Sequence, residues 1–240
     1  VRLEQVDGNG VLPLFESPRE FTTAFSFRRH LQKVVLQALD LFPEQEPLES
    51  ASLPSLGSVD PEILAKWPMD PLDDVSSGLM DDFSSFSIDH TVRPAPFRGG
   101  FVQAQAHWER FKTHALCMYD EGRNQPEQNI ATGLSPYLHF GHISVHSLVR
   151  ELFEVESWNP TRVAAKVSGS RAGWWGMSPP AEAFIDQVLT WRELGYTFCH
   201  HRPSDYDSYE SLPHWAVASL DQHACDPRSY VYDLEALETA

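Results

Sequence analysis

The sequence ATGLSPYLHFGHIS, residues 131–144, combines residue types that rarely occur together in one segment. Its Gly, Ser, His and Pro residues are too many for an ordinary core helix. Its apolar residues, among them Leu134, Tyr137 and Phe140, are too many for a surface loop. We therefore expect a loop that runs into a short, partly buried helix.

The start of this helix is predicted by Ser135 and Pro136. Serine is a preferred N-cap residue, and proline loses no hydrogen bond at the first helical position. Thr132 and Gly133, just upstream, add a hydroxyl group and a residue that lets a ligand approach the backbone closely. Free N–H groups at a helix start favour a phosphate, but a plain capped helix after a loop fits the same pattern.

Composition places the chain among globular proteins. The 240 residues are 42% hydrophobic and 12% aromatic, and the sequence has no apolar run near the ~20 residues of a membrane span. Three cysteines without metal-binding spacing (Cys117, Cys199 and Cys225) favour a reduced, intracellular setting, and we expect a cytoplasmic protein. The net charge of −16 argues against a nonspecific polyanion binder, although it leaves room for a local basic groove.

The pattern along the chain predicts a mainly α protein. Residues 1–15 are predicted as two short strands joined by an Asp-Gly-Asn-Gly turn, residues 18–42 as a helix, and residues 43–98 as a Pro-, Ser- and acid-rich linker. Helical patterns continue from Gly99 to the end. The predicted helices cover residues 60–67, 100–119, 136–140, 144–155, 160–167, 179–201, 213–224 and 233–239.

The segment FIDQVLTWRE, residues 184–193, holds the second group of candidate residues. Gln187 and Trp191 are four residues apart, so they are neighbours on one face of a helix, and Phe184 lies one turn earlier. A flat aromatic ring beside an amide suits a planar nucleobase, since the ring can stack and the amide can bind its edge. The alternative is an amphipathic helix with Trp191 in the core and Arg192 and Glu193 in salt bridges.

Tyr119 and Arg123 form a third candidate pair. They are four residues apart near a predicted helix end and so share a face. Arg123 either pairs with Asp120 or Glu127 or points at a phosphate. By contrast, Cys199, His200, His201 and His214 have no standard metal-ligand spacing, so we predict no metal site.

The order of these segments resembles the FAD-binding domain of the DNA photolyase and cryptochrome family. Residues 206–238 resemble, in particular, class II cyclobutane pyrimidine dimer photolyases. Residues 1–42 resemble the end of the family's N-terminal α/β (Rossmann-like) antenna domain and its connector helix. The resemblance implies three parts. Residues 1–42 are the end of the N-terminal α/β domain with its connector helix, residues 43–98 are an interdomain linker, and residues 99–240 are the first part of a helical FAD-binding domain.

The resemblance also implies roles for individual residues. Gln187 and Trp191 match the positions that contact the pyrimidine dimer and are therefore the catalytic candidates; with Arg123 they are also the DNA-binding candidates. The positions that match FAD contacts are Tyr119, Ala131, Thr132, Gly133, Leu134, Ser135, Phe184 and Arg192.

The function implied by the resemblance is light-dependent DNA repair. A deoxyribodipyrimidine photo-lyase uses electron transfer from reduced FAD to split a cyclobutane pyrimidine dimer, and the full-length form carries a second, antenna chromophore. The expected partner is UV-damaged DNA, with the protein acting as a monomer and away from membranes. The chain opens on Val1, and we expect a partial, catalytically incompetent piece of a longer enzyme.

Gln187 departs from the pattern of cyclobutane-dimer enzymes, which carry a glutamate at this position. The (6-4) photolyases have glutamine there, so they remain an alternative. A cryptochrome-like photoreceptor that binds FAD without repair is a second alternative, and a helical interaction module without flavin is a third. Trp191 and Arg123 favour repair over the photoreceptor.

Overall fold

The computed structural model describes residues 3, 4, 6–44, 46–49, 51, 52, 54, 57–68, 87–93 and 95–238. The chain divides into two compact units. The discontinuous unit comprises Val1–Leu39 and Trp158–Ala240, and the continuous unit comprises Asp40–Ser157. Part of the predicted linker, residues 69–86, lies outside the described residues, and the predicted domain boundaries stay a prediction.

Regular structure in the described residues is helical, with no strand, which confirms the mainly α fold class. No helix in this part of the chain is both long and apolar enough to cross a membrane. The α-helices are α1 (Ala24–Leu39), α2 (Pro61–Lys66), α3 (Phe101–Arg110), α4 (Tyr119–Gly122), α5 (Ser135–His139), α6 (Val145–Val155), α7 (Pro179–Ile185), α8 (Arg192–His201), α9 (His214–Gln222) and α10 (Leu234–Glu238). The described residues also contain two π-helical segments (Phe111–Ala115 and Asp186–Trp191) and five 3₁₀ turns (Leu14–Glu16, Leu116–Met118, Pro126–Gln128, Pro160–Arg162 and Tyr209–Ser211).

The two strands predicted in residues 1–15 are absent from the described part of that segment. Its backbone amides bond to carboxylates rather than to a neighbouring strand. The Asp7 carboxylate accepts from the N–H of Leu14 at 2.6 Å, and the Glu193 carboxylate accepts from the N–H of Val11 at 2.7 Å. Because these N–H groups already donate to carboxylates, they do not require hydrogen bonds to a neighbouring strand.

Helix α1 packs an apolar face into the discontinuous unit. Phe27, Leu31, Val35 and Ala38 are buried and recur at steps of three and four residues. The helix begins later than predicted, at Ala24, because the Thr23 hydroxyl accepts from the N–H of Ser26 and so caps it.

Residues 179–201 form one helical rod, as predicted, but its middle is π-helical. Helix α7 leads into the π segment Asp186–Trp191, which leads into α8. Arg28 of α1 holds this segment through two hydrogen bonds to Asp186, Nε–Oδ1 at 2.6 Å and Nη2–Oδ2 at 3.1 Å. Such a two-pronged charged contact fixes orientation as well as distance.

The helix predicted over residues 160–167 is wrong. Only Pro160–Arg162 forms a 3₁₀ turn, after which Ala164 donates its N–H to the carbonyl of Trp174 at 2.8 Å. This pairing draws the backbone across a loop instead of continuing the helix. Gly176 closes the loop at φ 66°, where a Cβ would lie 2.4 Å from the carbonyl oxygen of Arg162.

The core of the continuous unit lies between α3, α5 and α6. Trp108, Leu134, Tyr137, Leu148 and Leu152 are fully or almost fully buried there. Polar groups on this core are paired, since the indole N–H of Trp108 donates to Glu151 at 2.8 Å and the Tyr137 hydroxyl donates to the carbonyl of Arg98 at 2.8 Å. The core anchors the loop that precedes α5.

Candidate functional site

Tyr119 and Arg123 lie together at α4 in the continuous unit. The Tyr119 ring is buried and meets Phe111 edge-on, with ring centroids 5.3 Å apart. The Arg123 guanidinium carbon lies 6.0 Å from the Tyr119 ring centroid. Burial raises the pKa of the Tyr119 phenol, against the opposing effect of Arg123, so the phenol is a neutral hydrogen-bonding group at physiological pH.

The loop Ala131–Ser135 is anchored by one residue and exposed at others. The side chain of Leu134 is buried in the core, whereas Ala131, Gly133 and Ser135 are exposed. The Thr132 hydroxyl accepts from the N–H of Leu134 at 3.1 Å, which tightens the turn. Leu134 can therefore contact a ligand only through its backbone, while its neighbours offer backbone and side-chain groups.

Ser135 does not cap α5. The structure makes it the first residue of a five-residue helix, with Leu134 before it and no side-chain cap. The N-cap position falls on Leu134, whose carbonyl accepts from the N–H of Leu138 at 2.9 Å, so the helix begins one residue earlier than a Ser135 cap would require. A helix this short has little macrodipole, so an anion here would depend on individual hydrogen-bond donors.

His107 of α3 joins this group, and the sequence patterns missed it. A Cβ on Gly133 would lie 3.2 Å from His107 Nδ1, which is buried without a hydrogen-bond partner among the described residues. The His107 ring packs against Tyr137, with ring centroids 5.3 Å apart. No spacing rule connects residues 107 and 133, so only the folded chain identifies this neighbour.

Trp191 lies at the wall of an apolar cavity in the discontinuous unit. Its side chain is 51% exposed, so the alternative that placed Trp191 in the core is wrong. The cavity measures about 580 Å³, within the usual size of small-molecule pockets. Its apolar wall includes Phe21, Trp191, Leu194, Phe198, Leu212 and Pro213.

Gln187, Phe184 and Arg192 differ in what they offer a ligand. Gln187 is half-buried on the π segment, and Phe184 is only 3% exposed. Arg192 donates from Nη2 to the carbonyl of Asn9 at 3.5 Å, and its guanidinium carbon lies 5.0 Å from the Tyr196 ring centroid. Its buried Nε has no hydrogen-bond partner among the described residues, so it can still donate to an acceptor.

Glu193 forms no salt bridge with another described residue, unlike in the alternative that paired it. Its buried carboxylate instead accepts from the N–H groups of Val11 at 2.7 Å and Leu12 at 3.4 Å. A Cβ on Gly10 would lie within 2.0 Å of its Oε2, so the backbone passes very close to the carboxylate. Burial raises the pKa of Glu193 to about 7, although both backbone N–H groups favour the charged form.

Both units carry unfilled hydrogen-bonding groups beside the residues predicted to contact FAD. In the continuous unit this group is His107 Nδ1, next to Gly133. In the discontinuous unit it is Arg192 Nε. Each of these groups, within its own unit, can form a hydrogen bond to a ligand, and a buried polar group without a partner is costly unless a ligand satisfies it.

The described residues thus form a helical protein with a cavity of ligand size and with buried polar groups that lack a hydrogen-bond partner among them.

No family model matches the chain. Three curated proteins named deoxyribodipyrimidine photo-lyase are similar to it. The protein from Methanothermobacter thermautotrophicus is 29% identical over 100% of the chain and 44% of its own length. The protein from Arabidopsis thaliana is 27% identical over 98% of the chain and 42% of its own length. The protein from Oryza sativa subsp. japonica is 29% identical over 100% of the chain and 42% of its own length.

The chain is related to the deoxyribodipyrimidine photo-lyases, because the similarity runs through essentially its whole length in each of these matches. It spans less than half of the length of these relatives. The predicted family relationship is thereby confirmed.

Proposed function

We propose that the whole protein acts in light-dependent repair of UV-damaged DNA, as a deoxyribodipyrimidine photo-lyase specific for cyclobutane pyrimidine dimers. The observation that supports this most directly is Trp191, a half-exposed aromatic ring beside a cavity in a chain related to photo-lyases. Residues 206–238, which resemble class II enzymes, favour cyclobutane dimers as the lesion. The proposed setting is intracellular, where one copy acts alone on DNA.

FAD is the proposed cofactor, and when bound it supplies the electron that opens the cyclobutane ring. In the continuous unit, the proposed contacts are Tyr119 and Ala131–Ser135, with His107 as an additional hydrogen-bonding partner. The exposed backbone of Gly133 and the Ser135 hydroxyl suit phosphate oxygens. In the discontinuous unit, Arg192 would donate from Nε to an oxygen of the cofactor, and Phe184 would contact its edge. The antenna chromophore is proposed only for the whole protein.

DNA contacts are proposed for Arg123, Gln187 and Trp191. Arg123 would bind a backbone phosphate, and Trp191 would stack on a pyrimidine dimer turned out of the duplex. The Gln187 amide both donates and accepts, so it can bind the edge of a thymine, but it has no acidic proton to share. Because of this amide, a (6-4) photolyase is the second candidate function.

The FAD proposal predicts a coloured protein. We expect FAD to co-elute with the 240-residue chain in gel filtration, with visible flavin absorbance in the protein fraction. Changing Arg192→Ala should weaken FAD binding about 5- to 50-fold, because one charge-assisted hydrogen bond is worth ~1–2 kcal/mol or more. Arg171→Ala, an exposed change in the same unit with the same loss of charge, should leave FAD binding unchanged. Equal losses in both variants would contradict the role of Arg192.

The lesion proposal predicts selective binding of damaged DNA. We expect Trp191→Ala to lower the affinity for an oligonucleotide with one thymine dimer about tenfold or more, since base stacking on an aromatic ring contributes ~1–3 kcal/mol. Fluorescence anisotropy measures this affinity beside that for the undamaged oligonucleotide, which should hardly change. The matched control is Trp215→Ala, because Trp215 is 74% exposed in the same unit.

Three results of this titration would change the assignment. Tighter binding of a (6-4) photoproduct than of a thymine dimer would select the second candidate. Flavin binding without any preference for damaged DNA would favour a photoreceptor. An equal loss of affinity in the Trp191 and Trp215 variants would remove Trp191 from the lesion site.

A further inference from the structure

A second cavity of about 370 Å³ lies in the discontinuous unit at the start of α1. Arg19, Arg29, Lys33 and His30 line it, together with the rings of Phe21 and Phe25, and we call it the cationic pocket. It has no assigned role in the function proposed above.

The cationic pocket has a charge opposite to that of the whole chain. None of the described residues that line it carries a carboxylate, although the chain has 34 acidic residues against 18 basic ones. Arg19, Arg29 and Lys33 form no ion pair with a described carboxylate, unlike Arg28 of α1, which is paired with Asp186. Three unpaired cations around one concavity create a local positive potential that attracts an anion.

The positions of these cations are set by the fold. Ser26, Arg29, His30 and Lys33 follow the spacing of one helix face. The aliphatic stem of Arg29 is held by Gly169, where a Cβ would lie 2.5 Å from Arg29 Cγ. Gln32 fixes the loop that carries Gly169, because its Oε1 accepts from the Gly169 N–H at 2.8 Å.

The aromatic residues add a surface for a planar group. His30 stacks on Phe21 with ring centroids 5.2 Å apart, and a hydrogen bond to the backbone of Glu16 orients its ring. His30 Nε2 is buried without a hydrogen-bond partner among the described residues, so it can accept from a ligand hydroxyl. Burial lowers the pKa of His30, which keeps this nitrogen an acceptor near neutral pH. The Phe25 ring is 54% exposed and free to stack.

We infer that the cationic pocket binds a nucleotide. Arg19, Arg29 and Lys33 would hold the phosphate, His30 would accept from a sugar hydroxyl, and Phe25 would stack on the base. A cavity of about 370 Å³ lies in the range that holds small ligands. The same chemistry is offered by a free nucleotide and by one nucleotide of a nucleic acid strand. This inference does not rest on the function proposed above.

Titration calorimetry of the 240-residue chain at low ionic strength tests the inference, with adenosine monophosphate (AMP) as the probe. We expect a dissociation constant of about 1 mM or tighter, about −4 kcal/mol or more favourable. The double variant Arg29→Gln/Lys33→Gln should weaken binding about tenfold or more, since it removes two charged contacts to the phosphate. Both residues are exposed, so the fold should be retained, which circular dichroism verifies.

The matched control is Arg93→Gln/Arg110→Gln. It makes the same change in net charge at two exposed arginines outside the cationic pocket, so AMP binding should be unaffected. Phe25→Ser should abolish the preference for AMP over ribose 5-phosphate, which has the same phosphate without a base. The inference is overturned if the wild-type chain binds neither AMP nor a short single-stranded oligonucleotide, or if both double variants lose binding equally. Oligonucleotide binding that only Arg29→Gln/Lys33→Gln removes, without AMP binding, would support a strand as the source of the nucleotide.

Discussion

Asp186→Ala should lower the free energy of unfolding by about 3–5 kcal/mol, because it removes one partner of a buried ion pair. The side chains of Arg28 and Asp186 are only 14% and 3% exposed, and they share two hydrogen bonds. Without Asp186, the Arg28 guanidinium stays largely buried with no counter-charge. Urea denaturation followed by circular dichroism measures the loss.

Two controls separate this effect from a general effect of charge. Arg28→Met/Asp186→Leu removes both charges and should recover most of the lost stability, since apolar residues of similar volume often replace buried ion pairs at little cost. Glu109→Ala removes a carboxylate that is half-exposed in its pair with Lys112 and should cost less than about 1 kcal/mol. A loss for Asp186→Ala as small as that for Glu109→Ala would show that the buried pair contributes little.

Glu193→Gln should abolish a pH dependence of stability of about 2–3 kcal/mol between pH 5 and pH 8, given ~1.4 kcal/mol for each unit by which a pKa is shifted. The carboxyl has a pKa of about 7 in the folded chain, against an ordinary value of 4.5. Between these values the folded chain holds the proton more tightly than the unfolded chain. The stabilising contribution of protonated Glu193 is therefore complete below about pH 4.5 and is lost as the pH rises through about 7.

The measurement compares unfolding free energies of wild type and variant at several pH values, so that other titrating groups cancel. The glutamine oxygen can still accept from the N–H groups of Val11 and Leu12, so the variant should fold. We expect the free energy of unfolding of the variant to rise relative to that of the wild type as the pH rises. A constant difference between the two proteins from pH 5 to pH 8 would contradict a raised pKa for Glu193.

Local sequence patterns were sufficient to predict most of the helices. The residue spacing predicted α1, α6 and the rod over residues 179–201, because an apolar face repeats every three or four residues when a helix packs on a core. Asp60 and Pro61 predicted the start of α2, where the Asp60 carboxylate indeed accepts from the N–H of Glu62 at 2.8 Å. Such signals act over one or two turns and are visible in sequence.

Contacts between distant residues could not be predicted in the same way. The strands expected in residues 1–15 are wrong because Glu193, 182 residues away, accepts from the N–H of Val11. The helix expected at 160–167 is wrong because the carbonyl of Trp174, beyond the reach of a helical turn, accepts from the N–H of Ala164. No sequence pattern predicted that His107 lies beside Gly133, since that contact depends on how α3 packs. The exposure of Trp191 likewise depends on tertiary packing, because the helical spacing fits a Trp191 in the core as well as a Trp191 that faces a ligand.

The π segment Asp186–Trp191 holds one more residue than the same stretch of α-helix would, without changing the direction in which α8 faces. A π turn accommodates one residue more than an α turn, and each residue of an α-helix turns the chain by about 100°. Loss of a single residue from the segment would let an ordinary α-helix form with nearly the same total rotation, so the side chains of α8 would keep their direction. Glu193 would then still face Val11 and Leu12. The π segment is therefore a place where this helical rod can lose one residue without changing which face of α8 packs.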